Sequence, residues 1–196
     1  FANQSYLIIM AEYMESSLQG LSYLGVLKGM IQTLTREHLT NDALAFQPIS
    51  FITALNEMLA DSDKKNRFLC QMLYLSPLKD QFSFISCGCS SLLHLPTGAK
   101  TPRFLSNQNP PLGENPHHSF YETTENWKEG DLLLAHFIES DLSNKKQRED
   151  LSTTLKTITQ ESLQLSAQTQ AETILNKVAK SFPKLVESSS KTLLTI

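Results

Sequence analysis

The chain has 196 residues, 40% apolar and 19% charged, which suits one soluble globular domain with material for a sizeable core. Its net charge of −3, with acids and bases mixed along the chain, gives no electrostatic footprint for nucleic acid or a membrane surface. No apolar run nears the roughly 20 residues that span a bilayer; no signal-peptide pattern is present, and three cysteines do not make a disulfide framework, so the chain reads as cytoplasmic.

Tyr6 to Met10 is a short apolar run that predicts a buried strand. It comes so soon after Phe1 that a partner strand upstream is expected, as in a domain cut from the C-terminal part of a longer protein and tethered through it. Leu21, Leu24, Leu27, Ile31 and Leu34 recur at steps of three and four and predict an amphipathic helix. Gly25 and Gly29 each cost that helix about 1 kcal/mol relative to alanine. Their spacing predicts close packing against another element, with a loose helix as the alternative. Ile52, Leu55, Met58 and Leu59 predict a second helix from Pro48, since proline is tolerated in a first turn.

The period then changes. "RFLCQMLYLS" reads as a strand, "PLKDQ" as a turn, "FSFISCG" as a second strand and "SLLHL" as a third, closed by the turn "PTG". Together they predict an antiparallel meander. The irregular stretch "SNQNPPLGENPHH" leads to "SFYETTENW", the turn "KEG" and the strand "DLLLAHF". "SNKKQREDL" reads as a polar connector, and Leu151, Leu155 and Ile158 begin a helix. Ser166 is a predicted N-cap for another helix carrying Ala167, Ala171, Ile174, Leu175 and Val178, stopped by Pro183. "KTLLTI" reads as a final strand. The order predicts one α+β domain over residues 1–196, with helices packed on a large antiparallel sheet system.

Several of these landmarks, in this order, resemble the SpoIIE/RsbU branch of metal-dependent (type 2C) protein serine phosphatases. "LIIMAEYMESSLQGL" occupies the place of a strand ending in G-D-x-S-G-x-G and feeding a long helix. "LNEML" (Leu55 to Leu59) resembles L-N-x-x-L, "FLC" at Phe68 the strand start F-x-T, and "SCGCSSLL" the loop N-A-G-H-x-P-x-L-L. "PPLG" (Pro110 to Gly113) resembles P-L-G, "EGDLLLAHF" resembles G-D-x-L-L-L-Y-T-D-G, "LSAQ" resembles L-S-A-E, and "SSKTLLTI" resembles D-D-x-T-L-L. The resemblance implies an α-β-β-α sandwich of two antiparallel sheets flanked by helix pairs, with the first strands upstream of Phe1. It also implies bacterial phosphoserine phosphatase chemistry on an anti-anti-sigma factor, through two Mn²⁺ or Mg²⁺ ions held by aspartates.

The departures from that pattern fall on the metal ligands. Glu12 takes the place of the first motif's aspartate, but Ala11 replaces the glycine before it, and Glu15 and Ser17 replace later glycines. Ser86, Cys87 and Cys89 stand for Asn, Ala and His. Ile138 (or Phe137, one register away) replaces the aspartate of T-D-G, and Ser189 and Ser190 replace the terminal aspartate pair. Two close dications need several anionic oxygens to offset their repulsion, and Glu12 is the one motif carboxylate kept. Within this chain no resident metal is expected, unless a register shift lets Glu139 and Asp141 compensate or residues upstream of Phe1, where the family carries an early aspartate, complete the site.

Other candidates read as structural. Cys87 and Cys89 lie two apart, so a strand turns both to one side; with only Cys70 and His94 nearby they match no zinc spacing and read as small buried residues. His117 and His118 read as a solvated loop pair, His136 as a core histidine. Two functions remain. The first is a catalytically degenerate phosphatase-like domain acting by binding. Its apolar helices, Leu21 to Leu39 and Pro48 to Ala60, would carry the family's regulatory and dimer contacts, with Leu24, Leu27, Ile31, Leu34, Ile52 and Leu55 on their apolar faces. Its partners would be anti-sigma or anti-anti-sigma proteins, or an active phosphatase relative in a homo- or heterodimer; neither nucleic acid nor membrane contact is expected. The second is a working Mn²⁺- or Mg²⁺-dependent phosphoserine phosphatase.

Overall fold

The computed structural model describes residues 5–14, 19–40, 46–60, 67–88, 91–137, 145–183 and 193–195. In chain order the elements are β1 (Tyr6–Tyr13), α1 (Gln19–Thr40), α2 (Pro48–Ala60), β2 (Phe68–Ser76), β3 (Gln81–Cys87), β4 (Leu92–Leu95), β5 (Arg103–Leu105), β6 (Thr123–Asn126), β7 (Leu132–His136), α3 (Lys145–Glu161), α4 (Ala167–Ser181) and β8 (Leu193–Thr195). They divide into two units, each built from one four-stranded antiparallel sheet and one helix pair. Two antiparallel sheets with four helices is the fold class expected from the sequence.

The first unit orders its strands β1-β2-β3-β6 and carries α1 and α2. β1 runs three residues beyond Met10, the end of the predicted strand. Its alternate residues Leu7, Ile9, Ala11 and Tyr13 pack on the helix-side core, where Phe51, Ile52 and Leu55 are wholly buried. All but one residue of β2 are buried. A strand covered on both faces has no polar alternation, which is why "RFLCQMLYLS" reads as a continuous apolar run. The expected close packing at Gly25 and Gly29 is not found: a Cβ added at either would meet no atom within 4 Å. These glycines loosen α1 without serving a close approach.

The predicted meander is also corrected. β3 does not pair with β4, which lies in the other sheet between β5 and β7. The chain leaves β3 at Gly88. Its φ of +64° turns the chain, its N–H donates to the Asn109 carbonyl at 2.9 Å, and a Cβ there would lie 2.7 Å from Pro111 Cγ. The β3 edge is taken instead by β6, from Gln81↔Asn126 to Phe84↔Thr123, and then by a parallel bridge from Cys87 to Asn109.

The second unit orders its strands β5-β4-β7-β8, with α3 and α4 packed on Leu93 and Leu134 through Leu151, Leu155, Ile158, Ile174 and Val178. The three-residue strand β5 is too short to show a period, and no pattern in the sequence predicts it. Most of the expected polar connector is the first turns of α3, whose residues 146–150 are exposed. Ser166 caps α4 as predicted, with extended backbone (φ −62°, ψ 153°) and a side chain that accepts from the Thr169 N–H at 3.4 Å. Among the described residues no helix is long and apolar enough to cross a membrane.

These roles separate by magnitude. Leu155→Ala, which empties a wholly buried position, is expected to lower stability to urea by about 2–5 kcal/mol. Ser166→Ala removes one cap and is expected to cost about 1 kcal/mol. Urea denaturation followed by far-UV circular dichroism measures both; equal losses would contradict this division.

Candidate functional site

The sheet of the first unit has a second face, turned away from its helices, and it carries the one acidic residue retained from the metal motif. Side chains alternate along β1, so Ile8, Met10 and Glu12 lie on this face. The register places Glu12 opposite Leu69, and Met10 in one row with Gln71 and Ser86. Gln71 and Ser86 are 2% and 1% exposed. Glu12 is half-buried, and within β1, β2 and β3 it is the single carboxylate. Ala11 points to the opposite face, against the helix-side core.

Beside β3 runs a loop that asparagine side chains hold in place. Asn107 Oδ1 accepts from the Ser86 N–H at 2.6 Å while its Nδ2 donates to the Phe84 carbonyl at 2.8 Å. Asn109 Nδ2 donates to the carbonyls of Ser86 (3.1 Å) and Tyr121 (2.9 Å), and its Oδ1 accepts from the Tyr121 N–H at 2.9 Å. Asn56 Oδ1 accepts from the Gly113 N–H and its Nδ2 donates to the Asn115 carbonyl, both at 2.9 Å. Asn56 belongs to "LNEML" and Gly113 to "PPLG", so two landmarks of the resemblance touch each other. His118, expected in solvent, is half-buried, with Nε2 at 3.3 Å from Asn109 Oδ1 and its ring edge-on to Phe120; His117 is exposed.

The second unit uses its "GD" landmark structurally. Asp131 Oδ1 accepts from the Thr97 N–H at 2.6 Å, and its Oδ2 lies 3.2 Å from both the Lys128 nitrogen and His94 Nε2. Burial pushes this carboxyl upward, but the bonds from Thr97, His94 and Lys128 outweigh it and hold the acid below its ordinary range. Arg103 Nη2 sits 3.3 Å from His94 Nδ1. Arginine can only donate, so Nδ1 accepts and Nε2 carries the proton toward Asp131. The His94 and Asp131 side chains are 1% and 4% exposed, which makes this chain of contacts a brace between β4, β5 and the turn before β7. Gly130, at φ +85°, is required there because a Cβ would lie 2.9 Å from Thr97 Oγ1.

Cys87 does not face solvent. It lies opposite Cys70 on the neighbouring strand, neither is in a disulfide, and both belong to the helix-side core. Burial pushes the Cys70 thiol up to about 12 and Cys87 higher still, with Cys70 adding to the effect. Cys89, Ile138, Ser189 and Ser190, with Glu15, Ser17, Glu139 and Asp141, lie outside the described residues. Of the helix positions, Leu27, Leu34, Ile52 and Leu55 are buried in the unit's own core, and Leu24 and Ile31 pack partly against it. A contact with another protein through α1 or α2 would therefore use their other faces.

Among the described residues no three His, Cys, Asp or Glu side chains come together to hold a metal ion. Around Glu12 the register offers Leu69, Gln71 and Ser86, hence neutral oxygens at best. That donor set does not fit two dications.

Two outcomes follow from burial. With Cys89→Ser in place, native protein at pH 8 is expected to leave Cys70 and Cys87 unmodified by a thiol-reactive disulfide reagent, and to react at both once unfolded. Rapid native labelling would contradict the burial. His136 is wholly buried, and desolvation lowers its pKa from 6.5 to about 4. Between those values the unfolded chain binds a proton that the folded chain refuses. Stability is therefore full above about pH 6.5 and falls as the pH drops toward 4, by up to about 3 kcal/mol. Urea midpoints should show this fall in the natural chain and a smaller one in His136→Leu; parallel curves would contradict it.

The sequence matches the family model described as Stage II sporulation protein E (SpoIIE) over residues 2–187. No curated protein sequence matches the chain. Among solved structures, the PP2C phosphatase domain with a regulatory fragment of SpoIIE from Bacillus subtilis superposes with a TM-score of 0.70 at 14% identity, over 97% of this chain and 54% of that one. The RsbU and RsbW domains of a Mycobacterium tuberculosis protein give 0.68 at 12% identity, over 98% and 51%. The SiaA PP2C domain of Pseudomonas aeruginosa gives 0.67 at 10% identity, over 98% and 79%. The chain thus spans about half the length of the first two, and at these identities the likeness is one of fold. With the family match extending over nearly the whole sequence, and with its two antiparallel sheets and four helices, the chain belongs to the SpoIIE family of PP2C-type phosphatase domains.

Proposed function

We propose that this chain is a catalytically degenerate phosphatase-like domain of a sigma-factor partner-switching pathway, and that it acts by binding protein. The observation that carries the reading is the surroundings of Glu12. Two metal ions a few ångströms apart repel each other strongly, and anionic oxygens must offset that repulsion as well as replace lost water. Glu12 brings one such group, while Leu69, Gln71 and Ser86 beside it bring no charge. The aspartates that the resemblance asks for at Ile138, Ser189 and Ser190 are absent from the sequence.

The scaffold supports the same reading from the other side. Asn56 still ties the "LNEML" helix to the "PPLG" turn, and Asp131 still ties together the strands around "EGD". The contacts that shape the fold are present where the charges that would hold metal are not. Such a body suits recognition, with an anti-sigma protein, an anti-anti-sigma protein or an active phosphatase relative as partner, in the cytoplasm. The solved relatives include a chain that joins an RsbU domain to an RsbW domain.

Calorimetric titration with Mn²⁺ and turnover of p-nitrophenyl phosphate and a phosphoserine peptide test the proposal. No binding heat and no hydrolysis above the metal blank are expected, and Glu12→Ala should change neither. Mn²⁺-dependent hydrolysis abolished by Glu12→Ala would overturn it. The chain would then be an active Mn²⁺- or Mg²⁺-dependent phosphoserine phosphatase acting on an anti-anti-sigma factor, with Glu139 and Asp141 as candidate sources of the remaining oxygens.

A further inference from the structure

Cys70 and Cys87 stand directly opposite each other on β2 and β3, and the neighbouring rows fix how they face. Phe68 exchanges bonds with Leu112 at 3.0 and 2.9 Å, on the side of β2 away from β1. Every second residue of a strand bonds the same neighbour, so Cys70 turns its N–H and C=O toward Cys87. Such a bonded pair holds its Cα atoms about 5.5 Å apart, inside the range of about 4.4–6.8 Å that a disulfide spans. Opposed side chains leave the sheet on one face, and both thiols lie in the helix-side core. Cys70 is close enough to act on the Cys87 thiol.

Opposed residues have Cβ atoms about 4.5–5.5 Å apart, with bonded pairs at the far end, whereas a disulfide wants about 3.5–4.5 Å. Joining the sulfurs therefore draws β2 and β3 together and strains the link. Strained disulfides are the readily reduced, regulatory ones. The strain falls on the row of Ala11, Cys70 and Cys87, next to the row of Glu12 and Leu69. The pair also lies near solvent along the chain, because Gly88, the residue after Cys87, is exposed at its turn. The closed core keeps both thiols protonated and shielded. Opening of the turn brings Cys87 to water and restores its acidity.

We propose that Cys70 and Cys87 are a redox pair, joined reversibly across β2 and β3 when the chain meets a peroxide. Opening at Gly88 exposes the Cys87 thiolate, which attacks one peroxide oxygen. An S–O bond forms, the O–O bond breaks, and the departing hydroxide takes up a proton to become water. On reclosing, the Cys70 sulfur attacks the sulfenic sulfur of Cys87 and expels a second hydroxide, which takes the Cys70 proton. Two thiols are oxidised to one disulfide, and one peroxide is reduced to two waters. A dithiol reverses this through a mixed disulfide and is itself oxidised to a cyclic disulfide. None of this depends on whether Glu12 binds metal.

Hydrogen peroxide added to the natural chain at pH 8 tests the pair, with samples taken over several hours, blocked, digested and mapped by mass spectrometry. Slow loss of both thiols is expected, giving a folded monomer that lacks two hydrogens and carries a Cys70–Cys87 bridge. Dithiothreitol should restore the thiols. Urea below the unfolding transition should speed their loss about tenfold by favouring the open state. Cys70→Ala, a small apolar change in the core, should remove the bridge and let Cys87 pass on to sulfinic acid, with circular dichroism to check folding. A bridge that uses Cys89, or sulfinic acid at Cys87 while Cys70 is intact, would overturn the proposal. So would thiols that survive in the folded chain under peroxide that oxidises the unfolded one.

Discussion

Between Asn107 and Tyr121 the chain runs along the end of a buried sheet with isolated bridges as its only regular pairing, so most of its peptide groups need partners that a ladder does not supply. Asparagine supplies several of them, at Gly113, Asn115 and Tyr121, because one carboxamide offers both a donor and an acceptor, as a peptide does. Asn107 and Asn109 bond the backbone of Phe84, Ser86 and Tyr121, and Asn56 reaches from α2 to Gly113 and Asn115. The same segment then extends the sheet, since Leu112 exchanges two bonds with Phe68 beyond the end of β3. Without these three side chains the loop would present buried polar groups with no partner, each a loss of about 1–3 kcal/mol.

How much of this is legible in the sequence depends on whether a residue's role is periodic. The helix at Leu24, Leu27 and Leu34 and the strand at Phe68 to Ser76 show their burial through spacing or composition, and both were found where expected. The cap at Ser166 is also local, and so readable. The failures are long-range. That β3 pairs with β6 and not with β4 goes with a turn at Gly88 whose missing Cβ leaves room for Pro111, twenty-three positions away, which no window of sequence displays. Asn109 lies in a stretch that looks like an ordinary polar loop, and only its fixed partners distinguish it. Gly25 and Gly29 mislead in the other direction, because spacing alone does not say whether anything lies opposite.

The candidate site was legible in a different sense. Residue types at motif positions can be read directly, and chemistry then weighs them: isoleucine and serine do not replace aspartate as ligands for a doubly charged ion. What the sequence does not display is the company that Glu12 keeps. The register supplies it, by placing leucine, glutamine and serine around it and by turning Ala11 to the opposite face. The "GD" of the second unit illustrates the converse. As a motif it points toward phosphatase chemistry, and in the structure its acid is committed to Thr97, Lys128 and His94 as a brace.

The pairing of β2 bears on how the first unit assembles. β2 and β3 are joined by the short turn Pro77 to Asp80, in which Asp80 adopts φ +48°, whereas more than fifty residues, including two helices, separate β1 from β2. Closing a loop costs entropy that grows with the logarithm of its length. The β2–β3 hairpin is thus the cheaper contact to form first, and it does not wait for either helix. β1 joins a sheet whose other strands can already be in register, across a loop that contains α1 and α2. The strand that carries Glu12 is in this sense the last plank of its sheet, laid on a template the rest of the chain has already drawn.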